Sequence, residues 1–101
     1  MTGDGEGGIL IEREEGPTKG RYVIRSDGLE AEMTYSKAGE ARLIIDHTGA
    51  PDALSGRGLG GLLVRRAVED ARREGRKIIP LCPFAKAFIE KHPELQDVVQ
   101  R

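Results

Sequence analysis

Six residues near the middle of the chain, Gly56-Arg57-Gly58-Leu59-Gly60-Gly61, form the segment best suited to hold a ligand. Four of the six are glycine, so a bound group can approach the backbone closely and meet its N–H donors. A strand is expected before this segment and a helix after it. A helix N-terminus carries partial positive charge, so the combination suits a phosphate. The competing reading is a glycine-rich turn that only packs helix against sheet, but four glycines exceed what a connection needs. The pattern G-x-G-x-x-G is met literally. A dinucleotide site, however, needs an acidic residue about 20 positions later for the ribose. Arg76 and Lys77 occupy that neighbourhood, and the next strand ends at Cys82. Only one crossover unit is available, and antiparallel strands precede it, which excludes the dinucleotide reading. No Lys-Ser or Lys-Thr follows the glycines, which excludes a P-loop.

The elements around the loop follow from periodicity. From Leu59 to Glu74 the apolar residues Leu59, Leu62, Leu63, Val64, Ala67, Val68 and Ala71 recur at helical spacing, and Gly75 is a natural stop. On the outer side, Arg65 faces Glu69, Arg66 faces Asp70 and Glu69 faces Arg73 at four-residue spacing. Upstream, strands are expected at residues 9–13, 21–25, 30–36 and 41–48. Turn chemistry separates them at Gly16, Pro17 and Gly20, at Ser26-Asp27-Gly28, and at Lys37-Ala38-Gly39. In the fourth strand, alternation puts Leu43, Ile45 and His47 on one face and Ile44 and Asp46 on the other. Residues 77–81 read as a fifth strand, parallel to the fourth because a helix connects them. Pro83 opens a second helix with Phe84, Phe88 and Ile89 on its apolar side, and Pro93 ends it. The fold class is α+β: an antiparallel meander of four strands, a helix, a parallel fifth strand and a C-terminal helix.

Composition bounds the rest. The chain has 101 residues, enough for one domain, here residues 9–101. Residues 1–8 include four glycines and nothing to bury, so a disordered tail is expected. Seventeen acidic against sixteen basic residues leave a charge of −1, which argues against a general nucleic-acid binder. No run approaches the roughly 20 apolar residues of a membrane span, and the N-terminus lacks a secretory pattern, so a cytoplasmic location is expected. Cys82 is the sole cysteine, so no intramolecular disulfide forms, and no metal site is expected.

The third reading of the glycines is coenzyme A. Here the sequence resembles the GNAT acetyltransferase superfamily, whose cofactor motif runs Gln or Arg, two residues, Gly, one residue, then Gly or Ala. Ser55 stands at the first place, Gly58 at the second and Gly60 at the third. Ser55 departs from the motif and costs one side-chain contact, not the backbone cradle. His47-Thr48-Gly49-Ala50-Pro51 is similar to a His-Thr-Glu-Val-Pro signature, with no acid at the third place. Pro80-Leu81-Cys82-Pro83-Phe84, Phe88-Ile89 and His92-Pro93-Glu94 complete a spaced pattern. Together they resemble a short, single-domain acetyltransferase-like branch over residues 40 to 95, and the first strands only loosely.

The resemblance implies an acetyl-CoA cofactor lying where the fourth and fifth strands splay apart. It implies a binding set of Ile45, His47, Thr48, Ser55, Gly56, Arg57, Gly58, Leu59, Gly60, Gly61, Cys82, Phe84 and Lys86. Pro80 agrees with a splay beyond Ile79, since proline belongs where a strand lacks a neighbour; an ordinary edge strand would also explain it. Arg57, Arg65, Arg66 and Lys86 are the nearest candidates for the phosphates at the adenosine end. His47 and Cys82 end the two splayed strands. His47 is placed to accept a proton from an amine, and Cys82 to protonate the departing thiolate or to be acetylated itself. Each has a plainer reading, His47 as a turn's hydrogen-bonding partner and Cys82 as a small buried hydrophobe. Tyr22 and Tyr35 lie in early strands and no tyrosine follows Cys82, so the tyrosine proton donor of many larger relatives has no counterpart. His92 reads as structural. Residues 14–20 are too few for the two helices that larger relatives insert, so the acceptor side should be open. Two functions fit: an N-acetyltransferase for an unidentified amine, protein or peptide amines included, or a CoA-binding sensor or partner module without turnover. The acceptor and the oligomeric state stay open.

Overall fold

The computed structural model describes residues 9–26, 28–51 and 58–100. The expected tail at residues 1–8, Asp27 of the second turn, and Ser55, Gly56 and Arg57 of the glycine segment lie outside the described residues. Five strands form one sheet: β1 (Ile11–Glu15), β2 (Lys19–Ser26), β3 (Leu29–Ala38), β4 (Arg42–Gly49) and β5 (Lys77–Pro80). They lie side by side in chain order. The first three pairings are antiparallel and β4–β5 is parallel, as expected from the helix α1 (Leu59–Glu74) that joins them. Helix α2 (Pro83–Glu90) and a 3₁₀ helix (Pro93–Val98) follow. Periodicity gives no sign of the 3₁₀ helix. Beyond it Val99 bridges Ile78, so the chain's last described residues line the free edge of β5.

The inner face of the sheet carries Ile11, Tyr22, Ile24, Ala31, Met33, Tyr35, Leu43 and Ile45, all buried. Against it α1 lays Leu59, Leu63, Val64, Ala67, Val68 and Ala71. At roughly 25 cal/mol per Å² of apolar surface, this contact is the main source of stability. Gly75 ends α1 in the left-handed region at φ 74°, and its N–H bonds the Ala71 carbonyl.

Asp70 departs from the expected outer-face pairing with Arg66. It is 5% exposed and turns inward, where the Tyr22 hydroxyl donates to its Oδ2 at 2.7 Å and Arg13 Nη1 lies at 3.4 Å. Arg13 also reaches Glu74 at 2.6 Å and the Tyr35 hydroxyl at 2.9 Å. On the outer side Arg65 pairs with Glu94 and Arg66 with Glu69.

No element among the described residues covers the other face of the sheet. There Arg21 meets Glu14, Glu30 and Glu32, and Arg25 meets Glu12, Glu14 and Glu30. Val23 is fully buried beneath this lattice. Among the described residues, no helix is long and apolar enough to cross a membrane.

Candidate functional site

Helix α1 begins at Gly58, in the left-handed region at φ 74°, with open space where a Cβ would stand. Among the described residues no side chain caps this end, and no acidic residue lies in the first turn. The first N–H groups of a helix have no partner within it, so this end offers donors to a ligand. Among the described residues of the segment, Gly58 has the character that the anion-site reading requires. Gly60 and Gly61 have a second explanation. A Cβ on Gly60 would stand 2.9 Å from the Phe84 ring, and one on Gly61 would stand 2.6 Å from the Phe88 ring. Both rings come from α2, so these two glycines let the helices close on each other.

β4 and β5 do not separate beyond Ile79 as expected; the ladder continues to a bond at Leu81. Pairing runs from Arg42–Lys77 to Ile45–Pro80. The N–H groups of Leu81 and Cys82 then both bond the Ile45 carbonyl, at 3.1 and 3.0 Å. A ladder rung at Leu81 thus replaces the expected break at Ile79. Since Leu81 donates toward β4, the nitrogen of Pro80 faces the opposite edge, and its missing N–H does not create the gap. The ladder ends on these two bonds to one acceptor, and Pro83 then turns the chain into α2.

A bulge decides which side chains face the gap. The β3–β4 register shifts between Thr34 and Tyr35, so Tyr35 pairs with Ile45 while Thr34 pairs with His47. The extra residue is Asp46, which accepts a hydrogen bond from Ser36 at 2.7 Å. An inserted residue reverses the alternation beyond it. His47 therefore does not follow Leu43 and Ile45 inward as expected. It is exposed on the open face, with its Nε2 close to Gly49. Thr48, opposite the buried Met33, takes the inner position instead. Its Oγ1 lies 3.4 Å from Cys82 Sγ, and its methyl group flanks Gly60.

The structure thus brings together Thr48, Gly60, Cys82 and Phe84, and sets His47 on the other side of the sheet. Cys82 is 4% exposed and precedes the first turn of α2. Burial pushes its thiol up. The Thr48 hydroxyl and the backbone N–H groups of Ala85, Phe84 and Thr48 outweigh that and hold it below the ordinary cysteine value. Cys82 makes no capping hydrogen bond, so the α2 amides act on the sulfur as dipoles. Phe84 is 45% exposed at the mouth of the gap and Leu81 beside it is 65% exposed. Ile45 supplies the shared carbonyl.

Lys86 is not brought to the glycines. It lines a separate cavity of about 350 Å³ with Pro80, Glu90 and Gln96, across α2 from Phe84 and Phe88. Arg65 lies over the Phe88 ring, 5.6 Å from its centre, and Arg66 is held near Glu69. His92 stacks on Phe88 and its Nδ1 lies 2.8 Å from the Phe88 carbonyl, consistent with a structural part. The described residues hold no cluster of ligands for a metal ion. A cavity of about 760 Å³ lies on the open face and is lined by Glu14, Lys19, Arg21, Thr34, Ser36 and Asp46. Sequence reasoning misses this cavity, the bulge and the inward turn of Thr48. Leu43 and Ile45 alternate inward as a regular strand would have them, and nothing in the local sequence marks Asp46 as the extra residue.

Comparison with known proteins bears on the same elements. The family model for GCN5-related N-acetyl-transferases matches residues 21–98, which span β2 to the 3₁₀ helix. The solution structure of a GCN5-like protein from Staphylococcus aureus superposes with a TM-score of 0.68. It is 40% identical and covers 88% of this chain and 87% of its own. Protein NATD1 from Gallus gallus is 26% identical over 90 residues, covering 87% of this chain and 82% of its own. The Homo sapiens protein is equally similar, with 80% of its length covered. The family model spans most of the chain, from β2 through the 3₁₀ helix, and the superposition covers the same elements, so the chain belongs to the GCN5-related N-acetyltransferase family.

Proposed function

We propose that this chain binds acetyl-CoA in the gap between β4 and β5 and transfers its acetyl group to an amine that arrives over the open face of the sheet. One observation carries the reading: the β4–β5 ladder ends where α1 and α2 both begin, and Thr48, Gly60, Cys82 and Phe84 meet there. The backbone from Gly58 to Gly61 would take the pyrophosphate, with Gly58 the open approach. Thr48, Cys82 and Phe84 would line the arm that ends in the thioester. Acetyl-CoA supplies an activated acyl group, and this chain's residues orient it and move protons. Cys82, on the helix side, is placed to return a proton to the leaving sulfur. His47, on the open side, is placed to take one from the amine. The bulge that separates them suits an acyl carbon held in the plane of the sheet with donor and acceptor on opposite sides. The 760 Å³ cavity on the open face includes His47's neighbours Thr34 and Asp46; it is shallow and broad, which fits a bulky acceptor such as a peptide amine. The free Cys82 and balanced charge fit a cytoplasmic enzyme.

Calorimetry tests binding first. Acetyl-CoA and CoA should bind while NAD does not, and Gly58→Val should weaken binding strongly in protein that remains folded. Absence of CoA binding sinks the proposal. Steady CoA release with amine acceptors then tests transfer. Binding without release would favour a non-catalytic CoA-sensing module. The absence of any contact between His47 and Cys82 leaves that reading standing beside the first.

A further inference from the structure

We propose that Thr48 is the positioning residue for Cys82, its hydroxyl holding the sulfur at the mouth of the β4–β5 gap. This rests on the reading of the gap as the thioester site. Three features point to it. The bulge at Asp46 turns Thr48, rather than His47, toward the helices. Without the extra residue, alternation would put an imidazole beside the sulfur and the hydroxyl on the open face. Second, Thr48 Oγ1 is the side-chain partner of Cys82 Sγ, at 3.4 Å. The neutral thiol donates to Oγ1; once ionised, the sulfur accepts and the hydroxyl turns to donate. One group thus serves the sulfur in both protonation states. Third, the Thr48 methyl is held beside Gly60 of α1, whose lack of a side chain leaves room for both Thr48 and the Phe84 ring. The β-branched Thr48 is restricted at χ1, so packing the methyl fixes the direction of the hydroxyl.

The leading influences on the sulfur are its burial, the Thr48 hydroxyl, and the N–H groups of Ala85, Phe84 and Thr48. From β4 the hydroxyl faces it, from α2 the amides do, and from α1 the groups at Gly60 are uncharged. His47, the nearest titratable side chain along β4, lies on the other face. The hydroxyl is therefore the one side chain whose removal should change the sulfur without changing a charge.

Thr48→Val keeps the shape and removes the hydroxyl; Thr48→Ser keeps the hydroxyl and loosens its direction. Cys82 is the only cysteine, so thiolate absorbance at 240 nm, taken as the difference from Cys82→Ala, reads it alone. In Thr48→Val the midpoint of this titration should rise, with the thiolate fraction at neutral pH falling by about ten-fold. Thr48→Ser should restore most of it, and the melting temperature should change little in either. A Thr48→Val profile superimposed on the wild type overturns the proposal, as does a serine variant that behaves like valine. If valine does not fold at this site, Thr48→Ala takes its place: a raised midpoint in alanine that serine restores supports the proposal, and equal midpoints overturn it. Adding acetyl-CoA to the wild type probes the underlying reading separately. If the cofactor binds yet leaves the Cys82 titration unmoved, the thioester is elsewhere, while the Thr48 effect on the sulfur would still stand.

Discussion

The two ends of α1 are built on opposite terms. At its C-terminal end most polar groups are answered, although Arg76 Nη1, just past the cap, is buried without a partner among the described residues. Gly75 caps the helix, Arg72 and Arg73 lie in the last turn, and buried Asp70 gathers Tyr22, Arg13 and Arg73. At its N-terminal end, among the described residues, no side chain caps the helix, no acid lies in the first turn, and Thr48 and Cys82 lie nearby. Both ends use a glycine at φ 74°, yet one closes the helix on itself and the other leaves donors open. The contrast separates residues that hold the fold from residues that hold a ligand. It can be broken by substitution at either end.

The largest effect belongs to the closed end. Asp70→Ala leaves Tyr22 and Arg13 without their shared acceptor and should cost about 3 kcal/mol of stability, read by chemical denaturation. Acetyl-CoA affinity of the folded protein should stay the same; a matching loss of affinity would mean that the ends are coupled. The same end can be tested without substitution. Burial and the bond to Asp70 push the Tyr22 hydroxyl far above the ordinary tyrosine range. Burial, with Glu15 assisting and Arg13 opposing, pushes Tyr35 up to about 12. A raised folded pKa means that the stability these groups contribute is whole below about pH 10, the unfolded value, and is lost as pH rises through the folded value. With two tyrosines and no tryptophan in the chain, absorbance at 295 nm should show no tyrosinate near pH 10 until the protein unfolds. Ordinary titration of either tyrosine in folded protein would contradict the network.

Gly61→Ala comes next. Its Cβ would meet the Phe88 ring, and the overpacking should cost about 2 kcal/mol, largely recovered by Phe88→Leu in the same chain. No loss of stability would return Gly61 to a purely ligand-binding part. Gly58→Ala and Gly75→Ala sharpen the comparison further. Each places a side chain in the left-handed region and should cost about 1 kcal/mol, with open space around both. Only Gly58→Ala should weaken acetyl-CoA binding, and equal effects on affinity would remove the distinction between the ends. The smallest effect is expected on the open face. Arg21→Ala breaks three exposed ion pairs, and the melting temperature should not change measurably.

Much of this is legible in the sequence, and what is not has a common cause. Helix α1 runs from Leu59 to Glu74 as its periodicity predicts, because its boundary glycines and its apolar stripe are local signals. All five strands are legible too, and the parallel pairing follows from the crossover. The errors arise where a distant residue decides. Asp70 resembles an outer-face partner of Arg66 because Tyr22 and Arg13, which draw it inward, lie 48 and 57 positions away. The packing part of Gly60 and Gly61 is hidden in the same way, because the rings that need their space come from α2. His47 and Thr48 exchange faces through a bulge that only the register with β3 reveals. The glycine motif is readable, but the division of labour within it is not.

The side-by-side order of the five strands has a consequence for how the chain assembles. β1 to β4 can zip together through three short reversals, each closing a small loop at little entropic cost. β5 cannot join until α1 has formed and docked, since the crossover is its tether. The gap between β4 and β5 would then be the last seam of the sheet to close during synthesis. A nascent chain would carry a nearly finished sheet before it had any place to hold a ligand.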